Sequence, residues 1–107
     1  MNINNLIKRI KSINPDLELR FVGEFDKNNL RTGYWEWYYP NGKLWYKGNF
    51  INGIQDGYWE FYYINGDLYK KGHYINGLED GYWEEYHING NLYSKGNYVN
   101  GKFYEIK

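Results

Sequence analysis

Cysteine is absent from this 107-residue chain, which excludes disulfides and thiolate metal sites and fits a reducing compartment. Alanine, the strongest helix former, is absent as well. Neither sign of charge is in excess, since 13 basic residues balance 13 acidic ones. No global field therefore favours nucleic acid or an anionic membrane. No apolar run approaches the roughly 18 residues that a spanning helix needs. Lys8, Arg9 and Lys11 are followed by no apolar core and no small-residue cleavage site, so no signal peptide is expected. The expected location is the cytoplasm, and the length allows one domain.

What the chain does contain is aromatic. Tyrosine occurs 14 times and tryptophan five. Such residues suit strands, and each can bury roughly 150–250 Å². They fall in a 24-residue pattern that stands three times without slipping: 33–56 as GYWEWYYPNGKLWYKGNFINGIQD, 57–80 as GYWEFYYINGDLYKKGHYINGLED, and 81–101 as GYWEEYHINGNLYSKGNYVNG. Residues 17–32 read as a degenerate leading repeat, because Gly23-Glu24-Phe25 resembles Gly48-Asn49-Phe50. Residues 102–107, KFYEIK, read as a terminal strand. Residues 1–14 predict a short amphipathic helix: Ile3, Leu6, Ile7, Ile10 and Ile13 share one face, and Asn14-Pro15 ends it. It would cap one end or cover one face of a sheet.

Each repeat carries Asn-Gly between alternating aromatic runs, at 41–42, 65–66 and 89–90. The dipeptide predicts a two-residue type I′ hairpin. That turn sets Trp35, Trp59 and Trp83 opposite Gly48, Gly72 and Gly96, with each indole lying across its glycine. It sets Glu36, Glu60 and Glu84 opposite Lys47, Lys71 and Lys95, and Tyr39, Tyr63 and His87 opposite Leu44, Leu68 and Leu92. One face then holds Trp35, Trp37, Tyr39, Leu44 and Phe50 with Trp59, Phe61, Tyr63, Leu68 and Tyr74, and is the expected core. The other mixes Tyr34, Glu36, Tyr38, Trp45 and Lys47 and their equivalents. The segments Asn52 to Asp56 and Asn76 to Asp80 read as slightly longer loops between hairpins. The whole predicts a continuous antiparallel meander of seven or eight strands.

The catalytic inventory is thin. His73 and His87 lie on opposite faces in this register, which argues against a metal pair or a shared acid–base site. Glu84 and Glu85 point to opposite faces of one strand. The glycines follow hairpin need and form no phosphate loop. No catalytic residue, metal or cofactor is expected, and the chain reads as a non-enzyme. Two features can carry binding. Tyr38, Trp45, Tyr62, Tyr69, Tyr86 and Tyr93 form an aromatic stripe of the kind that makes protein hot spots. In the third repeat, Trp-face positions turn polar at Glu85 and His87, and Glu79, Asp80, Glu84 and Glu85 stand without a nearby Lys or Arg. The candidate partner-binding residues are therefore Tyr62, Tyr69, Glu79, Asp80, Glu84, Glu85, Tyr86, His87 and Tyr93.

The run DGYWEFYYINGDLYKKGHYINGLEDGYWEEY resembles the bacterial variant MORN repeat and is most similar to YwqK-type antitoxin or immunity proteins, over about Gly23 to Tyr98. The resemblance implies a mainly β fold: an elongated, twisted single antiparallel sheet of stacked hairpins. It implies a protein-binding inhibitor that neutralises a partner, such as a nuclease or nucleic-acid-binding toxin or effector, by occluding its active or nucleic-acid site. A phage or mobile-element inhibitor of a host defence nuclease, such as a CRISPR effector, would act by the same physics. A scaffold or lipid-associated MORN module is the alternative from another class. Direct nucleic-acid binding is not expected, a membrane role is weakened by the short helix, and the terminal hairpin allows a homodimer.

Overall fold

A computed structural model describes residues 20–107 and, as backbone, Lys11–Ser12. The strands are β1 (Lys11–Ser12), β2 (Arg20–Phe25), β3 (Arg31–Tyr38), β4 (Leu44–Ile51), β5 (Ile54–Tyr62), β6 (Leu68–Ile75), β7 (Leu78–Tyr86), β8 (Leu92–Val99) and β9 (Lys102–Glu105). They form one antiparallel sheet in chain order. The expected single-sheet meander is therefore present. The helix expected over residues 1–14 lies outside the described residues except at Lys11 and Ser12. There the expectation is corrected: both pair with β2, opposite Phe21 and Arg20, where they cover polar backbone of that edge.

The two sets of Asn-Gly turns exchange their expected roles. At Asn41-Gly42 the turn is not type I′. Gly42 N–H donates to the Tyr39 carbonyl at 2.9 Å, and Tyr39 N–H donates to the Lys43 carbonyl at 2.8 Å. Gly42 alone has positive φ, at 88°. This is a three-residue loop ending in a left-handed glycine with a bulge. A two-residue turn would pair residue 40 with residue 43, and Pro40 has no N–H for that ladder. The second and third copies, with Ile64 and Ile88, repeat the hydrogen bonds. The type I′ turns stand instead at the segments expected to be longer loops. Asn52 (φ 52°) and Gly53 (φ 77°) close Ile51 onto Ile54, and Asn76-Gly77 and Asn100-Gly101 do the same.

The bulge shifts register near each turn. Leu44, Leu68 and Leu92 face Tyr38, Tyr62 and Tyr86, not Tyr39, Tyr63 and His87 as expected. Further down the hairpins the expected register holds, with Trp35 opposite Gly48 and Glu36 opposite Lys47. The buried cluster contains Phe21, Trp35, Phe50, Trp59, Tyr74 and Trp83, with Trp37, Tyr46 and Phe61 packed against it. Tyr39, Tyr63, Leu44 and Leu68 do not join this core. Tyr39 stacks on Trp45 at 5.1 Å and Tyr63 lies against Tyr69 at 4.8 Å. Their hydroxyls donate to the Tyr62 and Tyr86 carbonyls of the following repeat, at 2.6 and 2.7 Å.

The glycine–indole contact is real but points the other way. Trp35, Trp59 and Trp83 cover Gly23, Gly48 and Gly72 of the preceding strand, where an added Cβ would stand 2.1 Å from each ring. Each indole N–H donates to a carbonyl one residue further on, at Glu24, Asn49 and His73. The side chain therefore staples its repeat to the one before it. Trp35 and Trp59 are wholly buried, although the described residues form one sheet with no second layer of strands and the shortest axis measures only 16 Å.

Candidate functional site

The face opposite the tryptophans is a closed polar network. Glu36, Lys47, Glu60, Lys71, Glu84 and Lys95 stand in one row, each opposite the next across six strands. The ion pairs join neighbouring repeats: Lys47–Glu60 at 3.2 Å and Lys71–Glu84 at 3.5 Å. Two tyrosines flank each glutamate at i−2 and i+2, which the period of two places on the same face. Tyr34 and Tyr38 donate to the two oxygens of Glu36, Tyr58 and Tyr62 to those of Glu60, and Tyr82 and Tyr86 to those of Glu84. Burial pushes the Glu60 carboxyl up, but bonds from Tyr62, Tyr58 and Lys47 outweigh it and hold its pKa below the ordinary value. Bonds from Tyr86 and Tyr82 hold Glu84 low as well. Tyr86 is pushed up to about 12, chiefly by Glu84, and Tyr38 to about 12 by burial and the bond to Glu36.

The Trp face is different because it changes along its length. One row runs Phe21, Trp37, Tyr46, Phe61, Lys70, Glu85, Ser94, each opposite the next. It is aromatic through β5 and polar from β6. The row beside it carries Arg31, Gln55 and Glu79 at equivalent places, 24 residues apart. At the start, Arg31 lies 5.3 Å from the rings of Trp35 and Trp37 and 5.5 Å from Phe50, within cation–π range. At the far end there is a cavity of about 220 Å³ lined by Lys70, Glu79, Trp83, Glu84, Glu85, Ser94, Tyr98 and Phe103. Three things open it. Glu85 and Ser94 replace rings, β9 follows without the spacer that precedes each tryptophan, and Gly96 is covered by β9 backbone and the edge of Phe103 in place of an indole.

Neither Glu79 nor Glu85 forms an ion pair among the described residues. Lys70 faces Glu85 across the strands, but its ammonium lies 5.0 Å from the Phe61 ring centre and 5.8 Å from that of Trp83. Burial raises the pKa of Tyr98 first, and the charge of Glu79, a side-chain bond to Glu79 and the charge of Glu85 add to that. Among the described residues no group of three or more His, Asp or Glu is arranged to hold a metal.

The nine candidate residues divide among four places. Tyr62, Glu84 and Tyr86 are members of the closed network. Tyr69, His87 and Tyr93 lie at the bulged turns: Tyr69 against Tyr63, and His87 edge-on to Tyr93 at 4.9 Å. Glu79 and Glu85 line the cavity, while Asp80 is exposed and faces His73. Sequence reasoning missed Lys70, Trp83, Ser94, Tyr98 and Phe103 as cavity partners. The repeat equivalence of Phe61 with Glu85, one period apart, and of Arg31 with Glu79, two periods apart, was the available signal for the first four. Phe103 gave none, because it lies beyond the periodic part.

Three consecutive units of the chain match the family model described as "MORN repeat variant": residues 31–52, 55–76 and 79–100. Each unit is one bulged hairpin, β3–β4, β5–β6 or β7–β8, ending at the asparagine of a type I′ turn. Together the units cover more than half of the chain. No curated protein matches it.

Proposed function

The chain belongs to the MORN repeat variant family, and from that premise we propose that it is a non-catalytic protein-binding inhibitor of the antitoxin or immunity type. The polar end of its Trp face would seat a basic segment of a partner protein and so occlude a site that the partner needs, such as the nucleic-acid channel of a nuclease. The observation that carries this reading is the change of chemistry along one face of a regular scaffold. On the Tyr–Glu–Lys face each glutamate is bonded by two tyrosines and two of the three by a lysine as well, whereas Glu79 and Glu85 stand beside a cavity without an ion-pair partner among the described residues. Complementary charge at such a surface speeds encounter and selects the partner. Similarity to YwqK-type proteins gives the inhibitor reading its direction.

The test is site-specific photo-crosslinking in the native host, with the photoreactive residue at position 98 beside the cavity or at position 58 in the closed network. The expected result is one adduct from position 98 and none from position 58, with the purified partner losing activity on addition of this protein. Equal crosslinking from both positions would reject the surface. A crosslinked partner whose activity is unaffected would reject inhibition. A second reading, a scaffold module, draws on the type I′ turn edge, where Leu30, Ile51, Ile54, Ile75, Leu78 and Val99 are 40–68% exposed. It expects adducts from position 78 instead.

A further inference from the structure

We infer that the cavity between β6 and β9 is a receptor for an arginine side chain presented by a partner protein. The inference rests on the reading above and names the group that the surface takes. The molecule supplies its own template. In the first repeat the guanidinium of Arg31 lies over Trp35, Trp37 and Phe50. The equivalent places in the third repeat hold Glu79 in place of Arg31, Trp83 in place of Trp35, Glu85 in place of Trp37 and Tyr98 in place of Phe50. The indole and the outer ring are kept, the built-in cation is gone, and a carboxylate stands where that cation was. A second carboxylate replaces the inner ring, and the space it frees is the cavity.

The charges decide which ligand fits. Glu79 and Glu85 carry two negative charges toward the cavity, and Lys70 carries one positive charge. The Glu84 carboxylate is turned to the opposite face, held by Tyr82, Tyr86 and Lys71. One unit of negative charge is therefore left over against aromatic walls. Lys70 lies over Phe61, Tyr69 and Trp83 and not over Tyr98 or Phe103, which pack on each other at 5.1 Å. A guanidinium meets both demands, since its edge donates to carboxylates in a planar fork and its face stacks on rings. An ammonium would satisfy the charge without the stacking. The apolar stem of the entering side chain would lie against Phe103, whose exposure is 36%.

The experiment uses the full chain and N-acetyl-arginine amide as probe, followed by NMR of the tryptophan indole N–H signals. N-acetyl-citrulline amide and N-acetyl-norleucine amide are the controls. The expected result is a saturable shift of the Trp83 indole signal with the arginine probe and little with either control. Binding should weaken at least about tenfold in the Glu79→Gln/Glu85→Gln double variant, because charge-assisted bonds to both carboxylates are lost. It should persist in Asp80→Asn, which removes the same sign of charge on the other face. The unperturbed signals of Trp35 and Trp59 report that each variant is folded. Equal shifts with arginine and norleucine probes, unchanged binding in the double variant, or no shift of Trp83 would each overturn the inference. If the arginine probe fails while the crosslink from position 98 stands, the protein-binding reading survives without this pocket. If both fail, the surface is wrong.

Discussion

The second and third repeats share a backbone and differ chiefly on one face. The β5–β6 and β7–β8 hairpins have the same bulged turn, with Gly66 donating to Tyr63 and Gly90 to His87 at 2.9 Å. Both carry a tyrosine–glutamate–tyrosine clamp and an indole over the preceding strand's glycine. On the Trp face, Gln55, Phe61 and Lys70 of the second become Glu79, Glu85 and Ser94 of the third. The staple, the clamp and the turns hold this sheet together among the described residues, where no second layer of strands covers its face. The remaining Trp-face positions are free to vary because none of those devices passes through them.

The largest expected effect comes from the staple. Gly48→Ala and Gly72→Ala each place a methyl within 2.1 Å of an indole, and the ring cannot move without breaking its bond to Asn49 or His73. A loss of roughly 3 kcal/mol or more in urea unfolding is expected, at the upper end of overpacking costs. Gly96→Ala meets the Tyr104 carbonyl at 2.3 Å, so it should release only β9, the last strand. Amide exchange limited to residues 102–107 would show this, and global destabilisation equal to that of Gly48→Ala would break the distinction between the inner repeats and the end.

Next in size is the clamp, which should not distinguish the two repeats. Glu60→Ala and Glu84→Ala each strand two tyrosine hydroxyls and a lysine, at about 1–3 kcal/mol. Matched losses are expected; a twofold difference would mean that the third repeat's charges are coupled through the sheet. The same groups set the pH window. Tyr38 and Tyr86 have folded-state pKa values raised to about 12, so the stability they contribute is full below their ordinary value of 10.0 and is lost as pH rises through about 12. Glu60 and Glu84 are lowered from 4.5, so their contribution is full above that value and is lost as pH falls below it. Urea midpoints should form a plateau between these limits and decline on both sides. Tyr62→Phe/Tyr86→Phe should reduce the decline on the alkaline side.

Strand order, the repeat and most of the register were legible because they follow from alternation and from the Trp–Gly and Glu–Lys pairs at fixed spacing. The turns were not. Asn-Gly occurs at both ends of every hairpin, and its geometry depends on whether the flanking residues pair, as Ile51 and Ile54 do, or one of them joins the loop, as Pro40 does inside the bond from Tyr39 to Lys43. The direction of the staple was hidden for a related reason. Trp59 has a glycine on each side, Gly72 across its hairpin and Gly48 across the next pair, and only side-chain tilt selects Gly48. Of the candidate site, Glu85 was legible as a break in periodicity and Glu79 as part of an acidic run. The separation of Glu85 from Glu84 followed from strand parity, but the cavity depends on β9 returning without a tryptophan.

Making the third repeat more like the second gives a smaller effect with a sign of its own. Glu85→Phe restores the ring of Phe61 in the row and fills space beside Trp83. It should stabilise the sheet by about 1 kcal/mol through apolar burial while abolishing binding of the arginine probe. Chemical denaturation and the Trp83 titration on one sample read both outcomes. A variant that is less stable would mean that Glu85 supports the scaffold.

The smallest effect sharpens the same row at its other end. Trp37 is the counterpart of Phe61 and Glu85, and its indole N–H is buried without an acceptor among the described residues. An orphaned donor costs about 1–3 kcal/mol. Trp37→Phe removes that donor, as the second repeat does naturally, and also reduces ring contact with Phe21 and Tyr46, now at 5.0 and 6.0 Å. The two changes oppose each other, so a net shift within about 1 kcal/mol is expected in urea unfolding, well below the cost of roughly 3–5 kcal/mol for truncating Trp59 to alanine. A loss above about 2 kcal/mol would mean that the indole has an acceptor after all. The first repeat would then hold its larger ring for a hydrogen bond, and the row's passage from tryptophan through phenylalanine to glutamate would begin as a change of polar partner as well as of size.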